Sequence, residues 1–154
     1  MKRHDGPAHG PDVAWAIEYF WNRIYVTGSI YGKGSDTDYG TVCYRVFSGT
    51  EQWVKRYDGP ASRADVASAL AIRNKNVYVT GYSTGVGSSA DYYTAAYGMF
   101  SGTYKWADRY DGPGSGFDQA NDVAACKRTG KVYVTGGSAG AGTKSDFATI
   151  KYAP

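Results

Sequence analysis

The middle third of the chain alternates apolar side chains with polar or small ones at a period of two. The run from Asp65 to Ile72 sets small residues between larger ones, and the run from Val77 to Tyr82 is rich in β-branched and aromatic residues. Two further runs, Asp91 to Tyr97 and Tyr104 to Tyr110, continue this alternation. A period of two predicts half-buried β-strands, and no segment shows a helical period. Because short polar or glycine-rich stretches separate the runs, we predict an all-β chain built from units of four antiparallel strands.

The same unit occurs three times within the 154 residues. The tripeptide Asp-Gly-Pro begins at Asp5, Asp58 and Asp111, a constant spacing of 53 residues. A second motif, a β-branched residue followed by Tyr-Val-Thr-Gly, ends at Gly28, Gly81 and Gly136. Self-similarity at this period indicates an array of supersecondary units. We therefore divide the single domain into repeats at residues 3–55, 56–108 and 109–154.

Four short antiparallel strands in every repeat predict the blade of a β-propeller. Small residues concentrate in the first strand of each repeat, where neighbouring blades would crowd around a central channel. They are Ala14 and Ala16, Ala67, Ala69 and Ala71, and Ala124 and Ala125. The alternatives are a sandwich of repeated hairpins and a β-solenoid, although the coils of a solenoid are usually shorter than this repeat.

From Arg56 to Trp106 the motifs follow the order Arg-Tyr-Asp-Gly-Pro, Asp-Val-Ala, Val-Tyr-Val-Thr-Gly, Gly-x-Gly, Asp-Tyr-x-Thr and Ser-Gly-Thr-x-x-Trp. This order resembles the bacterial SBBP β-propeller repeat family, and the likeness extends over nearly the whole chain. The resemblance implies a propeller but supplies no shared catalytic residues. The chain departs from the pattern at His4, where the other repeats have Tyr, and in the third repeat, where we place extra residues between Gly114 and Asn121.

Three blades are fewer than the four that a closed propeller needs. Two copies related by a two-fold axis would give six blades and leave no open end, so we predict a homodimer. The third repeat stops after its third strand, whereas the N-terminus aligns with the end of a fourth strand. The predicted seam therefore joins Lys2, Arg3, His4 and Asp5 of one copy to Phe147, Thr149, Lys151 and Tyr152 of the other. The alternative is that the chain is a fragment of a longer array.

Charge and composition narrow the choice of partners. A net charge of +3 without a dense cluster of Lys and Arg argues against nucleic acid, and no apolar stretch approaches the ~20 residues of a membrane span. Cys43 and Cys126 are too few for a disulfide framework, and we expect each to be a small buried apolar side chain. No apolar signal region precedes the first repeat, so we expect a cytoplasmic chain as given, or an extracellular one if a leader was removed.

Candidate binding residues lie in the loops and at the mouth of the predicted channel. Asp12, Asp65 and Asp122 recur near the start of each first strand, and His9 and Asp36 lie in loops on the same predicted face. We expect no obligatory cofactor, and calcium is the cation to test because hard oxygen ligands suit it. The structural alternative is that repeated carboxylates accept backbone N–H bonds or pair with arginines. We expect the same bracing role for Asp38, Asp91 and Asp146, where each third strand begins.

These residues favour a non-catalytic scaffold that presents a face of loops to a protein or glycan. His4 and His9 are the only histidines, and no partnered Ser or Cys nucleophile accompanies them, so a catalytic triad has no support. The competing hypothesis is a polysaccharide hydrolase or lyase with acidic residues at the channel mouth. A third hypothesis is a structural ring without a ligand. The fold alone does not choose among them.

Overall fold

The computed structural model describes residues 2–153, which form eleven β-strands and no helix. The strands are β1 (Val13–Phe20), β2 (Arg23–Tyr31), β3 (Thr37–Arg45), β4 (Glu51–Tyr57), β5 (Asp65–Arg73), β6 (Asn76–Thr84), β7 (Ala90–Gly98), β8 (Tyr104–Tyr110), β9 (Gln119–Ala125), β10 (Val132–Ala139) and β11 (Ser145–Tyr152). A helix long and apolar enough to cross a membrane is not found in this part of the chain.

Consecutive strands pair antiparallel to form three separate sheets. Sheet I contains β1 to β4, sheet II contains β5 to β8, and sheet III contains β9 to β11. The all-β prediction is confirmed. The four strands predicted for the middle repeat are confirmed with ends that differ by no more than two residues. Within residues 2–153, sheet III has no fourth strand, as the sequence predicted.

Sheet II is packed on both sides, and all nine residues of its strand β7 are buried. One core lies between sheets I and II, where Tyr25, Tyr39, Cys43 and Trp53 meet Ala67, Leu70, Val77 and Val79 of the next sheet. The other lies between sheets II and III, where Tyr78 and Tyr92 meet Ala120, Val123, Val132 and Val134. In both cores aromatic residues of one sheet pack against a largely aliphatic face of the next, although sheet II also contributes Tyr93 and Tyr97 to the first core.

Buried tyrosines also hydrogen-bond across the first core. The hydroxyl of Tyr25 donates to the carbonyl of Met99 at 3.0 Å, and the hydroxyl of Tyr39 donates to the carbonyl of Tyr93 at 2.8 Å. Each ring therefore supplies apolar contact area while its polar end finds an acceptor on the neighbouring sheet. The two sheets are fixed in register as well as held together.

A pair of threonines repeats at the centre of each sheet, and its exposure changes along the chain. Their hydroxyl oxygens are 2.9 to 3.0 Å apart in all three sheets. The pairs Thr27–Thr41 and Thr80–Thr94 are buried, whereas the pair in sheet III is exposed. The face of sheet III that corresponds to the covered faces of sheets I and II is therefore open.

The first strand of each sheet contains a β-bulge at an equivalent position. The register of the ladder shifts at Trp15, Ser68 and Asn121, which are spaced by 53 residues. Because this spacing is constant, the two additional residues of the third repeat do not lie between Gly114 and Asn121, and that prediction is wrong. They lengthen the turn between β9 and β10, which spans residues 126–131, whereas β5 and β6 are separated only by residues 74–75. An exposed hairpin turn accepts insertions that a tightly bonded connection does not.

The bulge explains the glycine that ends the Tyr-Val-Thr-Gly motif. It brings the backbone of the first strand so close that a Cβ on Gly136 would overlap the carbonyl oxygen of Gln119 and lie 2.8 Å from the hydroxyl of Tyr92. Gly81 and Gly28 face the carbonyl oxygens of Val66 and Val13 in the same way. Only a residue without a side chain fits this position.

Replacing adjacent glycines tests this explanation. We expect Gly136→Ala to lower the free energy of unfolding by about 2 kcal/mol or more, because backbone atoms must move. A Cβ on Gly137 meets nothing closer than the Ser145 hydroxyl at 3.1 Å, so Gly137→Ala should change the same quantity by less than about 1 kcal/mol. Urea denaturation followed by circular dichroism measures both variants. Equal losses in the two variants would contradict the assignment of the bulge contact.

Candidate functional site

The loops that join successive sheets lie beside the loops that join the second and third strands of each sheet. The backbone N–H of Asp118, in the connection to sheet III, donates to the carbonyl of Ala90 at 2.7 Å, at the end of the β6–β7 loop. The sequence predicted a shared face for His9 and Asp36, which lie in one loop of each kind. This loop edge contains most of the candidate residues.

An aspartate closes each Asp-Gly-Pro turn by accepting two backbone N–H bonds. Asp12 accepts from Gly6 at 2.7 Å and from Tyr31 at 2.9 Å. Asp65 accepts from Gly59 and Thr84, and Asp118 accepts from Gly112 and Ala139, both at 2.7 Å. In each case one carboxylate ties the turn to the end of a neighbouring strand. These are the backbone contacts that the structural alternative predicted.

Asp122 does not belong to this set, and its alignment with Asp12 and Asp65 is wrong. It lies within β9, is exposed, and pairs across the ladder with Thr135. The equivalent residue is Asp118, which is fully buried and follows Gly112 by six residues, as Asp65 follows Gly59. The constant distance from the Asp-Gly-Pro turn was the signal that could have identified Asp118.

A second series of aspartates begins the third strand of each sheet. Asp38, Asp91 and Asp146 accept hydrogen bonds from Ser35, Ser88 and Thr143 at 2.9, 3.0 and 2.6 Å. These contacts brace the loop before each third strand.

Arginine also reaches this series in sheets I and II. Arg56 pairs with Asp38, and Arg109 pairs with Asp91 at 2.8 Å. The carboxylates of Asp38 and Asp91 are buried, so a guanidinium is the compensating charge that they require.

The two series meet in acidic triads. Asp38, Asp58 and Asp65 form one, and Asp91, Asp111 and Asp118 form the other; in each, one oxygen per residue lies within 4.8 Å of the others. Burial raises the pKa of Asp38 and of Asp65 above the usual range. The pKa of Asp111 is also raised, by desolvation and by the charges of Asp91 and Asp118.

The donor set of the triads suits a hard cation only in part. Both oxygens of Asp65 and both of Asp118 already accept backbone N–H bonds, and an arginine already neutralises the neighbouring carboxylate. Calcium binding at this edge stays a prediction.

The remaining loop candidates are exposed and lie apart from the triads. The Nδ1 atom of His9 is 2.8 Å from a carboxylate oxygen of Asp5, and both side chains are at least half exposed. His9 has a φ of 54°, close to the values of Ser62 and Ser115 at the same turn position. Asp36 is exposed, and its carbonyl accepts from the N–H of Gly32 at 2.8 Å. No hydrogen bond or ion pair within residues 2–153 joins His9 to Asp36.

The predicted seam residues lie at the two ends of the stack of sheets. Phe147, Thr149 and Lys151 are exposed on the open face of sheet III, and the Phe147 side chain is 99% exposed. Tyr152 differs because it is half-buried and packs against Trp106, with ring centroids 5.1 Å apart. Tyr152 therefore belongs to the core between sheets II and III and not to the open face.

The other half of the seam borders a groove on the open face of sheet I. The groove has a volume of about 400 Å³, and its walls include Lys2, His4, Ile17 and Val26. His4 is held there by Glu51, whose carboxylate lies 3.0 Å from the Nδ1 atom. Arg3 and Asp5 are exposed beside it. The sequence did not predict the groove, because which face of β1 points outward depends on the bulge at Trp15.

No protein-family model matches the chain, and no curated protein matches it significantly. The resemblance to the SBBP repeats stays a prediction based on the motifs themselves.

Replacing two nearby aspartates tests their different roles. Asp118→Ala leaves two backbone N–H groups without acceptors, so we expect the free energy of unfolding to fall by about 2–4 kcal/mol. Asp122→Ala removes an exposed carboxylate and should change it by no more than about 0.5 kcal/mol. Chemical denaturation of both variants measures the difference. Losses of similar size would show that the Asp118 contacts do not hold the turn.

Proposed function

We propose that the chain is a non-catalytic binding scaffold whose sheets are three consecutive blades of a β-propeller. In this proposal two copies close a six-bladed ring, and the loop edge of the ring contacts a protein or glycan. The observation that carries it is the complementarity of the two end sheets. Sheet I exposes a face like the one that sheet II buries against sheet I, and sheet III exposes a face like the one that sheet II buries against sheet III.

The open face of sheet I has the pattern that receives aromatic rings elsewhere in the chain. Its apolar residues correspond, 53 positions earlier, to buried residues of sheet II that contact Tyr25 and Tyr39. They are Ala14, Ile17, Ile24, Val26 and Val42, matching Ala67, Leu70, Val77, Val79 and Ala95. Ile17 is 68% exposed in the single chain, although Leu70 is buried. The open face of sheet I therefore matches the surface that an aromatic sheet face covers within the chain.

The open face of sheet III offers such rings. Tyr133 and Phe147 occupy the positions of Tyr78 and Tyr92, which are both fully buried against sheet III. Exposed apolar surface of this kind favours association. A second copy provides the matching groove, and a two-fold axis makes both contacts equivalent.

The proposed contact is more polar than the internal ones. The open face of sheet III carries Asp122 and Lys151 where sheet II has Ala69 and Ala96. We therefore expect the closing contact to be weaker than the contacts within one chain, and dimerisation to depend on concentration.

The loop edge is the surface that we assign to the partner. The tips of the three glycine-rich loops contain Gly34, Gly87 and Gly142, each with a φ above 80° and no atom within 4 Å of a Cβ position. The side chains beside them differ from repeat to repeat and are exposed: Lys33, Asp36, Val86 and Lys144. Variable side chains on a rigid scaffold suit recognition.

The buried aspartates support a non-catalytic role. Asp65 and Asp118 are fully buried and engaged with backbone N–H groups, so neither reaches a substrate. The alternative, a polysaccharide hydrolase or lyase, would have to use the exposed Asp58 or Asp111 at the edge of the triads. Asp111, whose pKa is raised by desolvation and by the charges of Asp91 and Asp118, is the candidate general acid in this alternative.

Oligomeric state tests the ring. We expect light scattering after size exclusion to give twice the 16.6 kDa mass of one chain at tens of micromolar. Ile17→Asp should weaken dimerisation roughly thirtyfold or more, since it places a charge in the closing contact. Val86→Asp, on an exposed loop tip, is the matched control and should leave the dimer intact. A wild-type monomer under these conditions would rule out the ring.

Ligand binding and turnover separate the two functions. For a scaffold, we expect the labelled chain to bind a subset of an immobilised glycan array, or else a protein partner, and binding to fall about tenfold in Lys33→Ala or Lys144→Ala. We expect no release of reducing ends from polysaccharides. Release that is lost in Asp58→Asn or Asp111→Asn would establish the hydrolase in place of the scaffold.

A further inference from the structure

One contact between arginine and carboxylate repeats at the loop edge of sheets I and II. Arg109, at the end of the fourth strand of sheet II, donates to the carboxylate of Asp91 at 2.8 Å. It also donates to the carbonyl and the hydroxyl of Ser83, at 2.7 and 2.6 Å. Arg56 pairs with Asp38 in sheet I. The fourth strand of a sheet thus supplies the cation that neutralises the start of the third.

Sheet III has the acceptors of this contact but no cation. Asp146 occupies the position of Asp91, and within residues 2–153 it forms no ion pair. Ser138 occupies the position of Ser83, and its side-chain oxygen is buried in a residue only 3% exposed, with no hydrogen-bond partner in the described chain. A buried hydroxyl without a partner is costly, so this position indicates a missing donor.

Arg3 is the donor that the repeat pattern assigns to this position. It precedes Arg56 by 53 residues, and within the described chain it forms no ion pair. The residues beside Arg3 contact sheet I in the way that the residues beside Arg56 contact sheet II. The Lys2 side chain is within 3.0 Å of a Cβ position on Gly49, and Lys55 approaches Gly102 in the same way.

The segment from Lys2 to Asp5 is therefore held where the last strand of a preceding sheet would pass. The turn that follows it is already closed, because Asp12 accepts the N–H of Gly6 at 2.7 Å. In the two complete triads the equivalents of Asp5 and Asp12 approach the equivalent of Asp146. Asp5 and Asp12 therefore lack only an equivalent of Asp38 and Asp91, which Asp146 of a second copy would supply.

We infer that Arg3 of one copy binds Asp146 and Ser138 of a second copy, and that Asp5 and Asp12 of the first copy complete the third acidic triad there. The inference rests on the proposed ring. A two-fold dimer forms this contact twice, once at each seam. The bound group is the guanidinium of a second copy of this chain, and the site is incomplete without it.

Charge reversal in trans tests the pairing. Arg3→Asp alone and Asp146→Arg alone each place like charges at both seams, so we expect each to dimerise at least about tenfold more weakly than the wild type. When the two variants are mixed in equal amounts, the dimer that contains one chain of each has the reversed pair at one seam and the native pair at the other. We expect the mixture to regain affinity to within about threefold of the wild type. Sedimentation velocity measures all three dissociation constants.

Matched reversals away from the seam control for net charge. Arg63→Asp and Asp36→Arg change exposed side chains of the loop edge by the same two units of charge and should leave the dissociation constant unchanged. Thermal unfolding of the monomers shows whether Arg3→Asp and Asp146→Arg fold normally. Asp146→Asn, which keeps an acceptor for Thr143, separates loss of the ion pair from loss of the loop contact.

The outcomes distinguish this pairing from the ring itself. If the wild type does not dimerise, the proposed ring is wrong and the pairing with it. If it dimerises but the reversals have no effect, the ring stands and the pairing is wrong. If both reversals weaken the dimer and mixing fails to restore it, Arg3 and Asp146 lie at the seam but do not contact each other, which also overturns the inference.

Discussion

The structure depends on the packing of an aromatic face of one sheet against a largely aliphatic face of the next. Tyr25 and Tyr39 share one core with Val77 and Val79, and their hydroxyls donate to carbonyls of sheet II. Each sheet therefore has two unlike faces, and the stack has a direction. A directional stack of three sheets ends in one face of each kind. Sheet III leaves Phe147 uncovered at its end for this reason.

A carboxylate sets the position of each sheet relative to the one before it. Asp65 accepts backbone N–H bonds from Gly59, in the connection, and from Thr84, at the far end of β6. Because a hydrogen bond fixes distance to a few tenths of an ångström, the connection tolerates no change in length. For that reason the bulges recur every 53 residues, as the Asp-Gly-Pro turns do, while the exposed turn after β9 absorbs the two additional residues.

Strand positions were predictable from the sequence because alternation of side chains records which face is buried. The runs at Val77 and Tyr104 show this directly, and the repeat extended the assignment to the other sheets. Asp118 was missed because Asp122 precedes a valine, as Asp12 and Asp65 do, and local similarity outweighed distance from the turn. The groove beside Ile17 could not be predicted from the sequence either, because a one-residue bulge reverses the direction in which every later side chain of the strand points.

The repeated residues leave little room for specificity. Asp65 and Asp118 hold turns, Gly81 and Gly136 accommodate bulges, and the paired threonines join strands within each sheet. Each is required wherever the unit occurs, so none distinguishes one loop from another. In the proposed scaffold, recognition would then come from side chains that change between repeats. Such side chains are exposed at the tips of the glycine-rich loops and on the open face of sheet III, where Lys151 replaces a buried alanine. In the proposed assembly the loop tips would face a ligand and the open face of sheet III would face another copy of the chain, so binding and assembly could be altered independently.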